Sequence, residues 1–429
     1  MKQSNYNFIG KLSDNNNYIF NSVTCALALI NDYELDIIKS IKNHDVSNTT
    51  NYDFLLKCQD YGFIIDDEVN ELVHLQYEAN RDKYNSSGLT LTILPSLSCN
   101  FDCIYCYEKN SLIESSKISK DVIESIIKLL DTQKANIKTL NIIWYGGEPL
   151  MQVDLIFEMS MLFITYCDNN NIEYSAEIIT NGYYLTRQNI KKLVECRVKQ
   201  IQITVDGNKE SHDERRKLRD GSGTYTRIMR NIEENIDILP QLSIRVNVDK
   251  TNMDKINQIY NWKNNLDNSD KLFIYIGRTE EIEGVYSKEV CFNYDDFFKY
   301  QMEFYDQHSP DDLISLFPKP ILNNCMADTS NNLIINYNGD LYKCISDIGQ
   351  KEKILGNILT NNDNDKLIND YLLYNIFSDE HCRNCKYLPI CMGGCPRNRT
   401  LEERKCTIYK KFLDKIIRKT ILIQDSLSD

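Results

Sequence analysis

From Gly88 onward the sequence alternates short apolar runs with longer stretches of helical periodicity. The apolar runs are Leu89–Leu94, Leu140–Tyr145, Ser175–Thr180, Gln200–Val205, Leu242–Val248 and Leu272–Ile276. Between and after them, Ser119–Thr132, Val153–Tyr166, Thr186–Cys196, Tyr225–Ile238 and Asn252–Leu266 carry apolar residues at helical spacing. Strand–helix alternation of this kind predicts an α/β protein with a parallel sheet. Six repeats predict a partial (β/α)6 barrel, since a closed one takes eight.

The flanks follow other rhythms. Residues 1–88 begin with two strand-like stretches, Tyr6–Leu12 and Tyr18–Leu29, around the polar turn Ser13–Asn17. Helical stretches at Glu34–Asn43 and Tyr52–Tyr61 follow, then a short strand at 62–66 and a charged helix from Asp67 to Tyr84. This order predicts a winged-helix-like domain. With seven Lys/Arg against thirteen Asp/Glu it has little use for phosphates, and peptide binding along a strand edge fits it better. Beyond Phe292 the alternation stops. Asn338-Gly339 between two short apolar runs predicts a hairpin, and Thr407–Gln424 predicts a closing helix. The division expected is therefore 1–88, 89–290 and 291–429.

Composition narrows the class. The chain has 429 residues and a net charge of −13, which argues against nucleic acid as the main partner. No run reads as a membrane span of ~18 apolar residues. The start, MKQSNYNFIG, lacks the apolar core of a secretory signal, so a cytoplasmic protein is expected. Fifteen cysteines are many for such a chain. In that compartment clustered cysteines point to metal rather than disulfides. They group as Cys99, Cys103 and Cys106, and as Cys382, Cys385, Cys391 and Cys395 flanked by Cys325, Cys344 and Cys406.

The first group directly follows the first barrel strand. Three thiolates fill three corners of a [4Fe–4S] cluster and leave one iron open for a chelating cosubstrate. Zinc, the competing reading, prefers four ligands in paired spacing. Cys99-Asn-Phe-Asp-Cys103-Ile-Tyr105-Cys106 resembles the radical S-adenosylmethionine (SAM) motif. Gly146-Gly147-Glu148-Pro149, after the second strand, resembles that superfamily's GGEP turn. The resemblance implies that Tyr105 contacts the adenine and that Gly146, Gly147 and Glu148 hold the methionine amino group. Weaker matches are Asn181-Gly182, Thr204-Val-Asp206-Gly207 and His212-Asp213-x-x-Arg216. They would give Asn181, Thr204 and Arg216 to SAM as well. All lie at strand C-termini, where barrel enzymes build their sites.

The second group, with Gly339-x4-Cys344, resembles the SPASM domain of radical SAM enzymes that mature peptides and proteins. That implies two auxiliary [4Fe–4S] clusters. Cys382, Cys385, Cys391 and Cys406 would hold the distal one, and Cys325, Cys344 and Cys395 the proximal one. The proximal set is one thiolate short. Cys291, the nearest spare, completes it, or its fourth iron is open to a substrate thiol.

The resemblance implies a radical SAM oxidoreductase that generates a 5′-deoxyadenosyl radical and installs a cross-link in a ribosomally made precursor peptide. The expected type is the thioether-forming (sactipeptide/ranthipeptide) maturase, with carbon–carbon cross-linking as the alternative. Formylglycine formation by a sulfatase maturase fits less well: those enzymes place an aspartate directly after the Gly-x4-Cys cysteine, where this chain has Ile345. The expected partners are a precursor with its leader, recognised by residues 1–88, and a flavodoxin- or ferredoxin-type reductant. Tyr107, Glu108, Asp347 and Arg278 are candidate site lining, with no catalytic base assigned. A non-enzymatic electron carrier or zinc scaffold would need neither the GGEP turn nor the barrel.

Overall fold

The structure is a computed structural model that describes residues 1–41, 51–108, 117–360, 364–399 and 405–428. The chain forms two compact units. Met1–Tyr84, Ser309–Thr329 and Asp370–Asp429 make unit 1, and Asn85–His308 with Ser330–Asn369 make unit 2.

In unit 1, β1 (Lys2–Gln3) pairs with β5 (Ile64–Ile65), and β2 (Asn7–Ser13), β3 (Asn16–Asn21) and β4 (Leu27–Ile30) form an antiparallel sheet in that order. The single strand expected over Tyr18–Leu29 is thus two. The buried Asn21 breaks it: its side-chain oxygen accepts the N–H groups of Val23 and Thr24, and its own N–H donates to the Ala26 carbonyl. An Asx turn of this kind competes with the extended ladder. The helix expected at Glu34–Asn43 starts at Asp32, where Asn31 and Glu34 form a reciprocal capping box; its last two expected residues fall in 42–50, outside the described residues. The C-terminal helix, Tyr409–Ser428, buries Leu413, Ile417 and Ile421 with Tyr18 and Phe20 of β3.

Unit 2 is built on one sheet. β6 (Gly88–Ile93), β7 (Thr139–Trp144), β8 (Glu173–Thr180), β9 (Val198–Thr204), β10 (Gln241–Val248) and β11 (Leu272–Arg278) are parallel and adjacent in chain order. These are the six expected strands. The apolar alternation shows which face is packed: Leu140, Ile142, Trp144, Ala176, Ile178, Ile201 and Ile203 are buried, while the residues between them are half-buried or exposed. Helices Lys120–Gln133 and Arg187–Glu195 begin at Ser119 and Thr186, whose hydroxyls accept the N–H of the third helical residue.

Two features were not evident from the sequence. β12 (Asn332–Ile335) lies parallel against the free edge of β6, with Ile335 opposite Ile93. β13 (Asp340–Tyr342) and β14 (Gly356–Asn357) extend the sheet beyond it, antiparallel. The expected Asn338-Gly339 hairpin therefore supplies a seventh parallel strand. Gly339 turns at φ +89°, a backbone conformation suited to glycine. Secondly, Pro149–Asn170 is long and apolar enough to cross a membrane by length and composition. Its apolar face, with Ile156, Met159, Phe163 and Cys167, is buried, and Phe163 stacks on Trp144 of β7.

Candidate active site

The cysteine loop after β6 is stitched to the segment that follows helix Lys209–Arg215. Asp102 N–H donates to the Lys217 carbonyl at 2.8 Å, Ile104 N–H to Arg215 at 3.1 Å, and Phe101 bridges to Leu218. The three thiols lie within electrostatic reach of one another. Burial chiefly lifts the Cys99 and Cys106 thiols, Cys106 to about 12, and the neighbouring Cys103 adds to both. Such thiols become ligands only when a cation or cluster takes the charge.

The GGEP turn packs under this loop. Cβ atoms at Gly146 and Gly147 would meet the carbonyl oxygens of Ser96 and Ser98 at 2.4 Å, so glycine is required at both. Glu148 is buried; it accepts from Leu150 N–H (2.9 Å), Thr180 hydroxyl (2.6 Å) and Asn181 N–H (2.7 Å). Burial raises its pKa and these bonds oppose the shift. The glutamate thereby joins the ends of β7 and β8. Asn181 reaches back to Asn100 at 2.9 Å, inside the cysteine loop.

Tyr105 and Arg216 are both buried. Tyr105 donates its hydroxyl to Asp206 and accepts from Arg216 Nη1 (2.8 Å) and Asn247 Nδ2 (3.1 Å). Thr204 ends β9, in register with Arg245. Sequence reasoning missed the group that organises these residues. Arg215 is buried and bonds Asp206 (3.1 Å), Asp249 (2.6 Å), Thr251, Tyr286 and the Asn247 carbonyl. His212 is buried, and its pKa is depressed to about 3, first by desolvation and then by Arg216. Its Nδ1 accepts from Asp206 N–H, so the proton sits on Nε2, facing the Thr224 hydroxyl at 3.0 Å. Asn247 had a readable signal: with Arg245 it interrupts an apolar strand at a two-residue period.

Buried polar atoms without partners mark the space around the triad. Asn100 Nδ2, Glu108 Oε1 and Arg216 Nε have none among the described residues. Orphaned groups of this kind signal a missing polar ligand. Burial raises the Glu108 carboxyl to about 7, and the Tyr107 and Tyr145 hydroxyls meet beside it. Three clustered thiols, a glycine cradle and unpartnered donors together fit a [4Fe–4S] cluster with a polar cosubstrate. Among the described residues no three His, Cys, Asp or Glu side chains are grouped around the position of a single metal ion; a cubane instead places one thiolate on each iron. Of the other candidates, Arg278 is engaged by Glu280 and the Phe292 carbonyl, and Asp347 is buried in the turn after Cys344.

None of the fifteen cysteines, all of them among the described residues, forms a disulfide. In unit 1, Cys391 sits in the electrostatic reach of Cys385 and Cys406, and Cys325 in that of Cys395. Between Cys391 and Cys395 the chain takes three consecutive left-handed residues, Met392, Gly393 and Gly394. Arg399 braces this loop. It donates to the Met392 and Gly394 carbonyls and pairs bidentately with Asp328. Cys344 and the buried Cys291 belong to unit 2.

With the triad after β6 and the GGEP turn after β7, residues 93–262 match the Radical SAM superfamily. They form a radical SAM domain, and the protein is a radical SAM enzyme, of a family that uses SAM and a [4Fe–4S] cluster. Its relatives act on more than one kind of substrate. It is 26% identical to the cysteine-type anaerobic sulfatase-maturating enzyme of Clostridium novyi, over 80% of this chain and 98% of that protein. It is 22% identical to the radical SAM cyclopropyl synthase TigE of Paramaledivibacter caminithermalis, over 95% and 94%. Among solved structures, Streptococcus suis SuiB bound to precursor peptide SuiA aligns with a TM-score of 0.53 and 16% identity, over 94% of this chain and 98% of that one.

Proposed function

We propose that this enzyme matures a ribosomally made precursor peptide by installing a cross-link, a thioether from a cysteine sulfur to a peptide carbon. The observation that carries the reading is coverage. The similarity to TigE and to SuiB spans nearly the whole chain, whereas that to the sulfatase-maturating enzyme leaves about a fifth uncovered. That fifth equals in length the N-terminal 1–88 segment to which we assign leader recognition, beside a barrel over 89–290 and a SPASM domain over 291–429. Ile345, 38% exposed after Cys344, also argues against the sulfatase reaction.

Leader recognition is assigned to the outer edge of β4. Among the described residues no strand pairs with it, and Leu29 is exposed there. The opposite edge strand, β2, has its Asn7 and Lys11 carbonyls taken by Lys386 and Arg418. An extended peptide adds to a free edge through main-chain bonds.

In the barrel, Cys99, Cys103 and Cys106 would hold the cluster. Tyr105, Gly146, Gly147, Glu148, Asn181, Thr204 and Arg216 would hold SAM. Together these cofactors supply a 5′-deoxyadenosyl radical when bound. The chain's contribution is positioning. Glu148 fixes the GGEP backbone, and Asp206, Arg216 and Asn247 hold the Tyr105 ring. Two auxiliary [4Fe–4S] clusters are assigned to Cys382, Cys385, Cys391 and Cys406, and to Cys325, Cys344 and Cys395 with Cys291.

Co-expression with a short cysteine-containing precursor encoded beside the gene tests the reading. The expected product has lost two hydrogens and resists thiol alkylation. The same loss with alkylatable thiols replaces the thioether by a carbon–carbon bond. Reconstituted protein that forms no 5′-deoxyadenosine from SAM under reduction rejects the whole assignment.

A further inference from the structure

We propose that Arg245 is a specificity-determining residue that anchors an Asp or Glu side chain of the precursor, close to the residue being modified. This rests on the maturase reading above. The six parallel strands have two unlike faces. Trp144 and the buried apolar residues in register with it face the helices, as its stack on Phe163 shows. Residues of the other parity, among them Tyr145, Gln202, Thr204, Arg245, Asn247 and Tyr275, are half-buried and line the inner face. Arg245 is the one Lys or Arg on that face of β6–β11. The nearest acid on it along these strands, Glu177, is in register with Gln200, and Arg245 with Thr204. Four residues of strand, about 13 Å, separate the two levels, and Glu177 is bonded by Asn141 at 3.2 Å.

The guanidinium is held in place. Its Nε donates to Asn247 Oδ1 at 2.8 Å, and it lies 5.9 Å from the centroid of the Tyr275 ring, whose hydroxyl donates to Gln202 at 2.7 Å. Gly277 leaves it room: a Cβ there would stand 2.7 Å from Nη2. The Gly277 backbone is not left-handed, so space rather than conformation accounts for the glycine. Among the described residues neither Nη has a hydrogen-bond partner and no carboxylate pairs with the side chain. Asn247 also donates to the Tyr105 hydroxyl, which puts Arg245 one pleat, about 7 Å, deeper along the strand than the residue that holds that ring. A fixed, half-buried cation without a counter-charge costs free energy that an arriving carboxylate recovers. Two free Nη groups match a carboxylate bidentately, whereas a peptide carbonyl brings no charge. The carboxylate of SAM is the rival. It is disfavoured because Arg216 stands at the cysteine loop itself, over the Phe101 ring and with its Nε unpartnered.

The test uses the full-length, iron-loaded enzyme and the precursor encoded beside the gene, together with versions in which each Asp or Glu of its modified region is changed singly to Asn or Gln. Arg245→Gln is expected to raise KM for the precursor at least tenfold, about what a charge-assisted bond supplies, with kcat within about threefold. The Kd for SAM, by anaerobic equilibrium dialysis, should change less than about twofold. One acidic position should reproduce the KM increase in the wild type and add nothing in Arg245→Gln, as expected of two partners in one contact. Iron content is measured for each variant. If Arg245→Gln loses iron, Gly277→Ala, which crowds the guanidinium, decides, with a KM increase of about threefold or more expected. A precursor whose modified region has no Asp or Glu, an unchanged KM, or losses from enzyme and precursor variants that simply add overturns the proposal. So does SAM binding weakened tenfold with the precursor KM unchanged, which would give Arg245 to the cosubstrate. Wild type that cleaves SAM but leaves the precursor unmodified rejects the maturase reading and the anchor with it; modification that is indifferent to Arg245 rejects the anchor alone.

Discussion

Two buried arginine–aspartate bridges hold the two cysteine loops, and they work differently. Arg215 spends its donors on Asp206, Asp249, Thr251 and the Asn247 carbonyl, at the ends of β9 and β10 and just after them, and on Tyr286 in the segment after β11. The scaffold sets that network, and the cysteine loop is hung on it by backbone bonds. Arg399 has no such frame. It ties Asp328, three residues after Cys325, to the left-handed run between Cys391 and Cys395, and leaves its Nε unpartnered among the described residues. There the arginine substitutes for a scaffold. A site borne on strand ends is fixed by the fold; a site made of turns is fixed by whatever crosses between them.

The contrast breaks most sharply at Asp206. Asp206→Ala strips a carboxylate from a buried guanidinium and should cost about 3–5 kcal/mol, read as a lowered denaturant midpoint of the barrel. A loss under about 1 kcal/mol would show that the barrel network is as replaceable as the loops. Next, Arg399→Ala should cost about 3 kcal/mol locally. Hydrogen exchange should then rise at residues 388–398 and stay unchanged in β6–β11; exchange spreading into the barrel would erase the distinction. Third is pH. His212 has a folded-state pKa of about 3, below the ordinary 6.5 or so, so its contribution is complete above pH ~6.5 and is lost as pH falls toward 3. Between pH 7 and 5 the barrel should lose about 2 kcal/mol from this group, and His212→Gln should flatten that slope. Smallest is Ser119→Ala. It removes a cap on helix Lys120–Gln133 and should cost about 1 kcal/mol by thermal melting, with no change in iron content.

How much could be read beforehand follows the same divide. The six parallel strands, the cysteine triad and the glycine turn were legible because each is local: an apolar run, a spacing, a tetrapeptide. Arg215 was not, because in the run Arg215-Arg216 nothing in the sequence says which guanidinium meets the carboxylates of two strand ends. Both arginines prove to be buried. The break at Asn21 was missed because its side chain bonds N–H groups two and three residues ahead, which an apolar count over Tyr18–Leu29 does not register. β12 escaped for a different reason. Its partner β6 lies about 240 residues earlier, and a hairpin signal names only its own two strands. The partition of cysteines between auxiliary clusters came from resemblance, not from physical reasoning on the chain.

The pairing of β12 with β6 sets an order on biogenesis. The ribosome delivers β6 early, yet the main-chain groups along one side of it wait for residues 332–335 to emerge. Until then the nascent barrel carries a bare, apolar-flanked strand edge of the sort that recruits other chains. A fragment ending near residue 290 would keep that edge permanently open, so the catalytic barrel is poorly suited to being excised, and expression of intact chain is the safer route to soluble material.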